Sequence, residues 1–242
     1  MFKRGFSFRG KLIFSFILIC LLPVVVVQLI SYYISSEAMK DKINILVRAS
    51  LLQTSKNLDT TLLAYEDIVR QIITNDDLVE TINSINESND EMEISRRRLI
   101  NILSGYANAK SGIRSVTIFT ANGTVISYDR QTGSPYYYNQ WSDVKDPTAL
   151  PLYQEALTRT GTIVSEPEKI DSVNYKEQFG FHLARKIIDY NRLSLEGIGV
   201  VAITAYESVL AEAINLSDEG AQAASPFPNL AFLVNSKGII VS

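Results

Sequence analysis

The stretch SVTIFTANGTVISY, residues 115–128, decides the fold class. Two apolar runs rich in β-branched residues flank Asn122-Gly123. That pair supplies the two positive φ values of a type I′ turn, so the stretch reads as a β-hairpin. A hairpin alone is not stable in water and needs further strands or a helix to cover one face. Downstream, residues 162–165, 179–188 and 199–204 read as strands; the last is buried by its apolar content. Short helices are expected over 152–159 and 206–216. About five strands, mostly antiparallel, with helices before and between them make an α+β fold, sheet packed on helix.

Upstream of the hairpin the chain is helical. Residues 76–85 open with Asp76 and Asp77, as a helix N-terminus prefers. Residues 91–109 carry Ile94, Leu99, Ile102, Leu103 and Tyr106 at helical spacing, with Arg96, Arg97 and Arg98 on a solvated face. From 35 to 74 there is no Pro and no Gly, and Met39, Ile43, Val47, Leu51, Leu58, Leu62, Tyr65, Val69 and Ile72 recur as one stripe. A helix of that length reaches roughly 60 Å and needs a partner for its stripe. The partner is either its own domain or a second copy of the chain, and the two halves of the helix can differ in this.

Before that helix lies LIFSFILICLLPVVVVQLISYYI, residues 12–34, with no charged side chain. About 20 such residues cross the hydrocarbon core of a bilayer. Lys3, Arg4, Arg9 and Lys11 precede it without any acid, which places the N-terminus in the cytoplasm. A cleaved signal peptide is the rival reading. It requires a shorter apolar run ending in small residues, and the segment ISSEA at 34–38 offers a poor cleavage site. Residues 1–11 are therefore expected as a cytoplasmic basic tail, 12–34 as a transmembrane helix, 35–74 as a long extracellular helix and 75–216 as an α+β domain.

Charge and composition exclude several functions. The chain has 242 residues, 46% of them hydrophobic, and a net charge of −3; beyond residue 11 there remain 19 basic against 26 acidic residues. Such an acidic exterior domain is not a nucleic-acid binder by bulk charge. One Cys and one His make neither a disulfide nor a zinc site within one chain. A Ser-His-Asp or Cys-His device would have to use His182. Gly197-Ile-Gly199 lacks the third Gly of a dinucleotide loop, and neither a P-loop nor a Gly-x-Ser-x-Gly elbow is present. No cofactor is expected.

After a polar link the chain starts again. AFLVNSKGIIVS at 231–242 echoes the strand, Gly-containing turn and strand of the first hairpin. Because Ser242 falls in mid-strand, residues 217–242 are expected to begin a second, similar module inside which the chain stops.

GKLIFSFILICLLP, ISYYISSEAMKDKI, SVTIFTANGTVISY, GVVAITAYESVLAEAI and FLVNSKGIIVS together resemble the extracellular double Cache sensor of YesM-like sensor histidine kinases. The resemblance spans essentially the whole chain and is architectural rather than catalytic. Similar sensors front chemoreceptors and membrane-bound AraC-type regulators. It implies a second span, a HAMP linker and a kinase beyond this chain, which itself would carry no kinase activity. It also implies a pocket on one face of the sheet, under the loops after the first hairpin. Tyr128, Arg130, Tyr138, Trp141 and Tyr153, together with Tyr136 and Tyr137, fall in that region, and His182, Arg185, Asp171 and Tyr175 face or join it. Aromatic rings with a few charged groups suit a small polar ligand. Amino-acid-sensing members resemble one another in an Arg shortly before a Trp-Tyr pair. Here the helix reads Pro151-Leu152-Tyr153, which departs from that pattern. The expected partners are the membrane, a small extracellular ligand or a solute-binding lipoprotein, and a second copy in a homodimer. The long helix is the natural transmitter of a ligand-dependent displacement. An anchored extracellular binding protein without output is the alternative from a different class.

Overall fold

Asn122 builds the hairpin turn with its side chain. Its Oδ1 accepts from Thr120 Oγ1 (2.6 Å) and Thr124 N (3.0 Å), and its Nδ2 donates to the Ile85 carbonyl (2.7 Å). The Gly123 amide donates to the Thr120 carbonyl at 3.1 Å. The turn therefore centres on Ala121 and Asn122, one residue earlier than the expected type I′ pair, and Gly123 takes a positive φ of 87°. The extra residues let the turn dock on the preceding helix through Asn122.

The computed structural model describes residues 8–87, 92–133, 141, 144–170, 178–192 and 196–215. The expected second module, residues 217–242, lies outside them. The elements run α1 (Phe8–Ile73), α2 (Asp76–Glu87), α3 (Met92–Ala109), β1 (Ile113–Thr120), β2 (Val125–Asp129), α4 (Pro151–Thr158), β3 (Ile163–Val164), β4 (Glu168–Ile170), β5 (Gln178–Ile188), β6 (Gly197–Tyr206) and α5 (Ser208–Asn215). The α+β class with an antiparallel sheet is as expected. The short strand β4 has no counterpart in the sequence reading, because three residues are too few to show alternation.

The chain forms two units, Met1–Gln53 and Thr54–Ser242. In the first, α1 carries the apolar run 12–34, and its side chains are exposed along the whole run. It is long and apolar enough to cross a membrane. Met39, Ile43, Val47 and Leu51 are exposed as well.

In the second unit the sheet order is β2-β1-β6-β5-β3, with β4 also paired to β5, and every pairing is antiparallel. One face packs on helices. Tyr65, Val69 and Ile72 of α1, Leu78, Ile82 and Ile85 of α2 and Leu99 and Leu103 of α3 bury against Val116, Ile118, Phe181, Leu183, Val201 and Ile203. The continuation of the α1 stripe thus finds its partner in its own domain, as one of the two expected readings required. Tyr65 anchors the contact. Its ring meets Phe181 edge-on at 6.4 Å, its hydroxyl donates to the Ser111 carbonyl at 2.9 Å, and Lys110 Nζ lies 4.4 Å from its centroid. Burial, aided by the charge of Glu212, pushes the Tyr65 phenol up to about 12. The opposite face is covered over one end by α4, where Tyr153 and Ala156 pack with Phe119, Trp141, Ile163, Ala184, Val200 and Ala202.

Candidate functional site

Strand alternation sorts the residues of this second face into rows. Asp129, Ser115, Thr204 and His182 are successive cross-strand partners on β2, β1, β6 and β5. At about 4.8 Å between strands this row is roughly 14 Å long. The next row is Ser127, Thr117, Ala202, Ala184 and Ile163, and beyond it lie Val125, Phe119 and Val200. The face therefore grades from polar to apolar along the strands.

The polar end is buried. Thr117 and Thr204 have no exposure at all, and Arg114, Ser115, Ser127, Asp129 and His182 are each more than nine-tenths covered. Burying such groups costs free energy unless they are paired, and most pair with one another. Thr117 and Ser127 share a hydroxyl hydrogen bond at 2.8 Å. His182 Nδ1 lies 3.1 Å from Thr204 Oγ1, and its Nε2 lies 2.9 Å from Glu168 Oε1. That hydrogen bond, opposed in part by burial, holds the Glu168 carboxyl below its usual range. Arg114 Nε donates to Asp129 Oδ2 at 3.1 Å, while Asp129 Oδ1 accepts from the Gln131 amide at 2.8 Å. Arg114 Nη1 is buried with no hydrogen-bond partner among the described residues. The β1–β6 register shift between Ile113 and Ser115 inserts Arg114 into the strand and lets it reach Asp129 on this face. Tyr206, paired to Gly180 on the same face, has its phenol raised chiefly by burial, with Arg114 acting in the opposite direction.

Aromatic rings adjoin the row. Trp141 lies 5.2 Å from the His182 ring at an interplanar angle of 59°. It meets Phe119 edge-on at 5.4 Å, and Phe119 meets Tyr153 edge-on at 6.4 Å. Burial raises the Tyr153 phenol. Rings on one side and a row of hydroxyl, imidazole, carboxylate and guanidinium on the other can hold a small polar molecule in one orientation.

Of the residues singled out by sequence, Trp141, Tyr153 and His182 come together here. Three others do not. Arg185 follows His182 by an odd number of positions, so β5 turns it to the helix-covered face opposite Val201. Tyr128 pairs with Val116 and packs against that helix-side core. Arg130 is exposed, and its Nη1 donates to the Lys110 carbonyl at 3.4 Å. Tyr136, Tyr137, Tyr138, Asp171 and Tyr175 lie outside the described residues. Sequence reasoning passed over Arg114, Ser115, Thr117, Ser127, Asp129, Glu168 and Thr204. The one available signal was polar alternation in otherwise apolar strands, at Ser115, Thr117 and Ser127.

No family model matches the sequence, and no curated protein matches it. Solved structures do. The ligand-binding domain of the Pseudomonas fluorescens chemoreceptor CtaA in complex with L-valine is 16% identical, with a TM-score of 0.52 over 78% of this chain and 68% of that one. Its complex with L-alanine gives 18%, 0.51, 82% and 70%. The ligand-binding domain of the Pseudomonas aeruginosa PAO1 amino acid chemoreceptor PctC in complex with GABA gives 17%, 0.51, 82% and 73%. At these identities the likeness shows the fold alone, an α+β domain built on an antiparallel sheet.

Proposed function

We propose that the chain is the ligand-sensing input module of a membrane-anchored signalling protein, and that it binds a small polar molecule on the face bearing His182, Thr204, Arg114 and Trp141. The observation that carries this is the buried polar row ending in an Arg114 Nη1 without a partner among the described residues. A fold that needed only stability would fill those positions with apolar side chains, since a buried donor left unmade costs about 1–3 kcal/mol. A ligand carboxylate, carbonyl or hydroxyl offers the missing acceptor.

The output we favour is a two-component sensor histidine kinase of the YesM-like kind, on the strength of the sequence stretches quoted above. The neighbours that bind amino acids as chemoreceptors support a chemotaxis output as the second reading. Under either, this chain is not itself an enzyme. The basic tail would lie in the cytoplasm and the sheet domain outside. The exposed stripe of Met39, Ile43, Val47 and Leu51 would pack against a second copy.

Trp141 is the only tryptophan, so its emission reports this face. The full chain in nanodiscs should be titrated with free amino acids, mono- and disaccharides and small dicarboxylates. At least one compound is expected to shift the emission saturably and raise Tm, and Thr204→Val should abolish both responses. A panel that moves neither, or a response that persists in Thr204→Val, contradicts the proposal.

A further inference from the structure

Gln178 stands on the same face as His182, because β5 alternates and Gln178, Gly180 and His182 share one side of it. Its Oε1 is buried with no hydrogen-bond partner among the described residues. The same holds for the Oε1 of Gln131, whose backbone amide holds Asp129. Ser115 is more than nine-tenths buried, and its hydroxyl makes no hydrogen bond among the described residues.

The charges of the polar row are committed to one another. Asp129 Oδ2 accepts from Arg114 Nε, and its Oδ1 accepts from the Gln131 and Thr132 amides at 2.8 and 3.3 Å. Glu168 Oε1 lies against His182, and its side chain is 58% exposed to water. An anion brought onto the row would have to share one guanidinium with Asp129. A cation would find no uncommitted buried carboxylate in the row. Either would leave a buried charge uncompensated, which is strongly unfavourable.

An uncharged molecule must therefore satisfy donors and acceptors together. Arg114 Nη1 calls for an acceptor, Gln178 Oε1 for a donor, and the Ser115 hydroxyl for either. A hydroxyl serves all three, since it both donates and accepts. Arg114 stands on β1 and Gln178 on β5, with β6 between them, so two strand spacings, roughly 10 Å, separate them across the sheet. One amide or one hydroxyl does not reach both, whereas hydroxyls set around a ring or a pair of rings do. Trp141 and Tyr153 offer aromatic surface to the C–H faces of such rings. We infer that the ligand of this face is an uncharged, polyhydroxylated molecule of the sugar type, and that Gln178 and Ser115 help to select it. The inference rests on the reading of this face as a binding site and adds the class of ligand.

The test uses the full chain in phosphatidylcholine nanodiscs, with Trp141 emission as the readout. The probes are glucose, maltose and sucrose, set against L-alanine, succinate and putrescine. At least one sugar should shift the emission saturably, and none of the charged probes should. Gln178→Leu should weaken the responding sugar about tenfold, as the loss of one hydrogen bond does. Ser115→Ala, a smaller change, should weaken it as well, and gives the same reading should Gln178→Leu fold poorly. A saturable response to alanine, succinate or putrescine overturns the ligand class and leaves the binding face standing. A sugar affinity unchanged in both variants overturns the inference too. So does silence from all three sugars, and the other amino acids and dicarboxylates of the wider panel then decide the face itself: a response among them keeps it, and none removes it.

Discussion

Both ring nitrogens of His182 are engaged, one by a hydroxyl and one by a carboxylate, while Trp141 leans on the ring. The Glu168 carboxyl is held below its usual range by that hydrogen bond first and by the imidazole charge less. A depressed carboxyl contributes stability that is present above its unfolded value and lost as pH falls through its folded one. Acid melts should therefore show stability dropping below the usual carboxylate range, with a shallower slope in Glu168→Gln. Glu168 is itself largely exposed, so the effect is small. Asp129 is a different case. It and Arg114 are both buried, and Asp129→Ala would strand a guanidinium without a counter-charge. Chemical denaturation should show a loss of about 3–5 kcal/mol. At this scale the sequence exposed the rare residue types: the single His, the single Trp and a Tyr on a short helix. It hid Thr204, Thr117 and Ser127, because hydroxyl residues are common in strands and only the cross-strand register shows that they share a row. Arg185 failed for the same reason: one step along a strand reverses the face.

Among the elements, α2 starts on a cap that can be measured. Asn75 Oδ1 accepts from the Leu78 amide at 3.0 Å, and its Nδ2 donates to the Tyr106 hydroxyl at 3.1 Å. Asn75→Ala should cost about 1 kcal/mol by denaturant titration, with m unchanged. At Gly199 the strands β1 and β6 approach so closely that a Cβ would lie 2.5 Å from the Phe119 carbonyl oxygen. Backbone cannot yield cheaply in the middle of a ladder, so Gly199→Ala should lower Tm by more than the Asn75 variant does. A matching or higher Tm would show that the β1–β6 register is misread. Helices α2 and α3 and the longer strands were legible because amphipathic spacing runs through each. The hairpin turn was legible in kind but shifted by a residue. Here the Asn122 side chain is spent on Thr120, Thr124 and Ile85.

At the scale of the molecule, α1 divides its stripe between two fates. Tyr65, Val69 and Ile72 are buried on the sheet domain, while Met39, Ile43, Val47 and Leu51 stay exposed. A stripe at that spacing left in water calls for a partner, and the proposed one is a second copy. With Cys20→Ser as background, single cysteines at Val47 or Leu51 should cross-link under mild oxidation in nanodiscs. Cysteines at Arg48 or Asp41, off the stripe, should cross-link far less, and equal yields would remove the dimer seam from the account. The span and the helix were legible from composition and periodicity alone. The proposed binding face was not, because it is assembled from four strands separated by loops and a helix. The most direct test of the central claim is hydrogen–deuterium exchange on the full chain in nanodiscs, with and without the panel compound that shifts Trp141 emission. Slowed exchange is expected confined to β1, β5, β6 and α4, around Arg114, His182, Thr204 and Tyr153. Protection confined to α2 and α3 on the opposite face, or none at all, would contradict that claim.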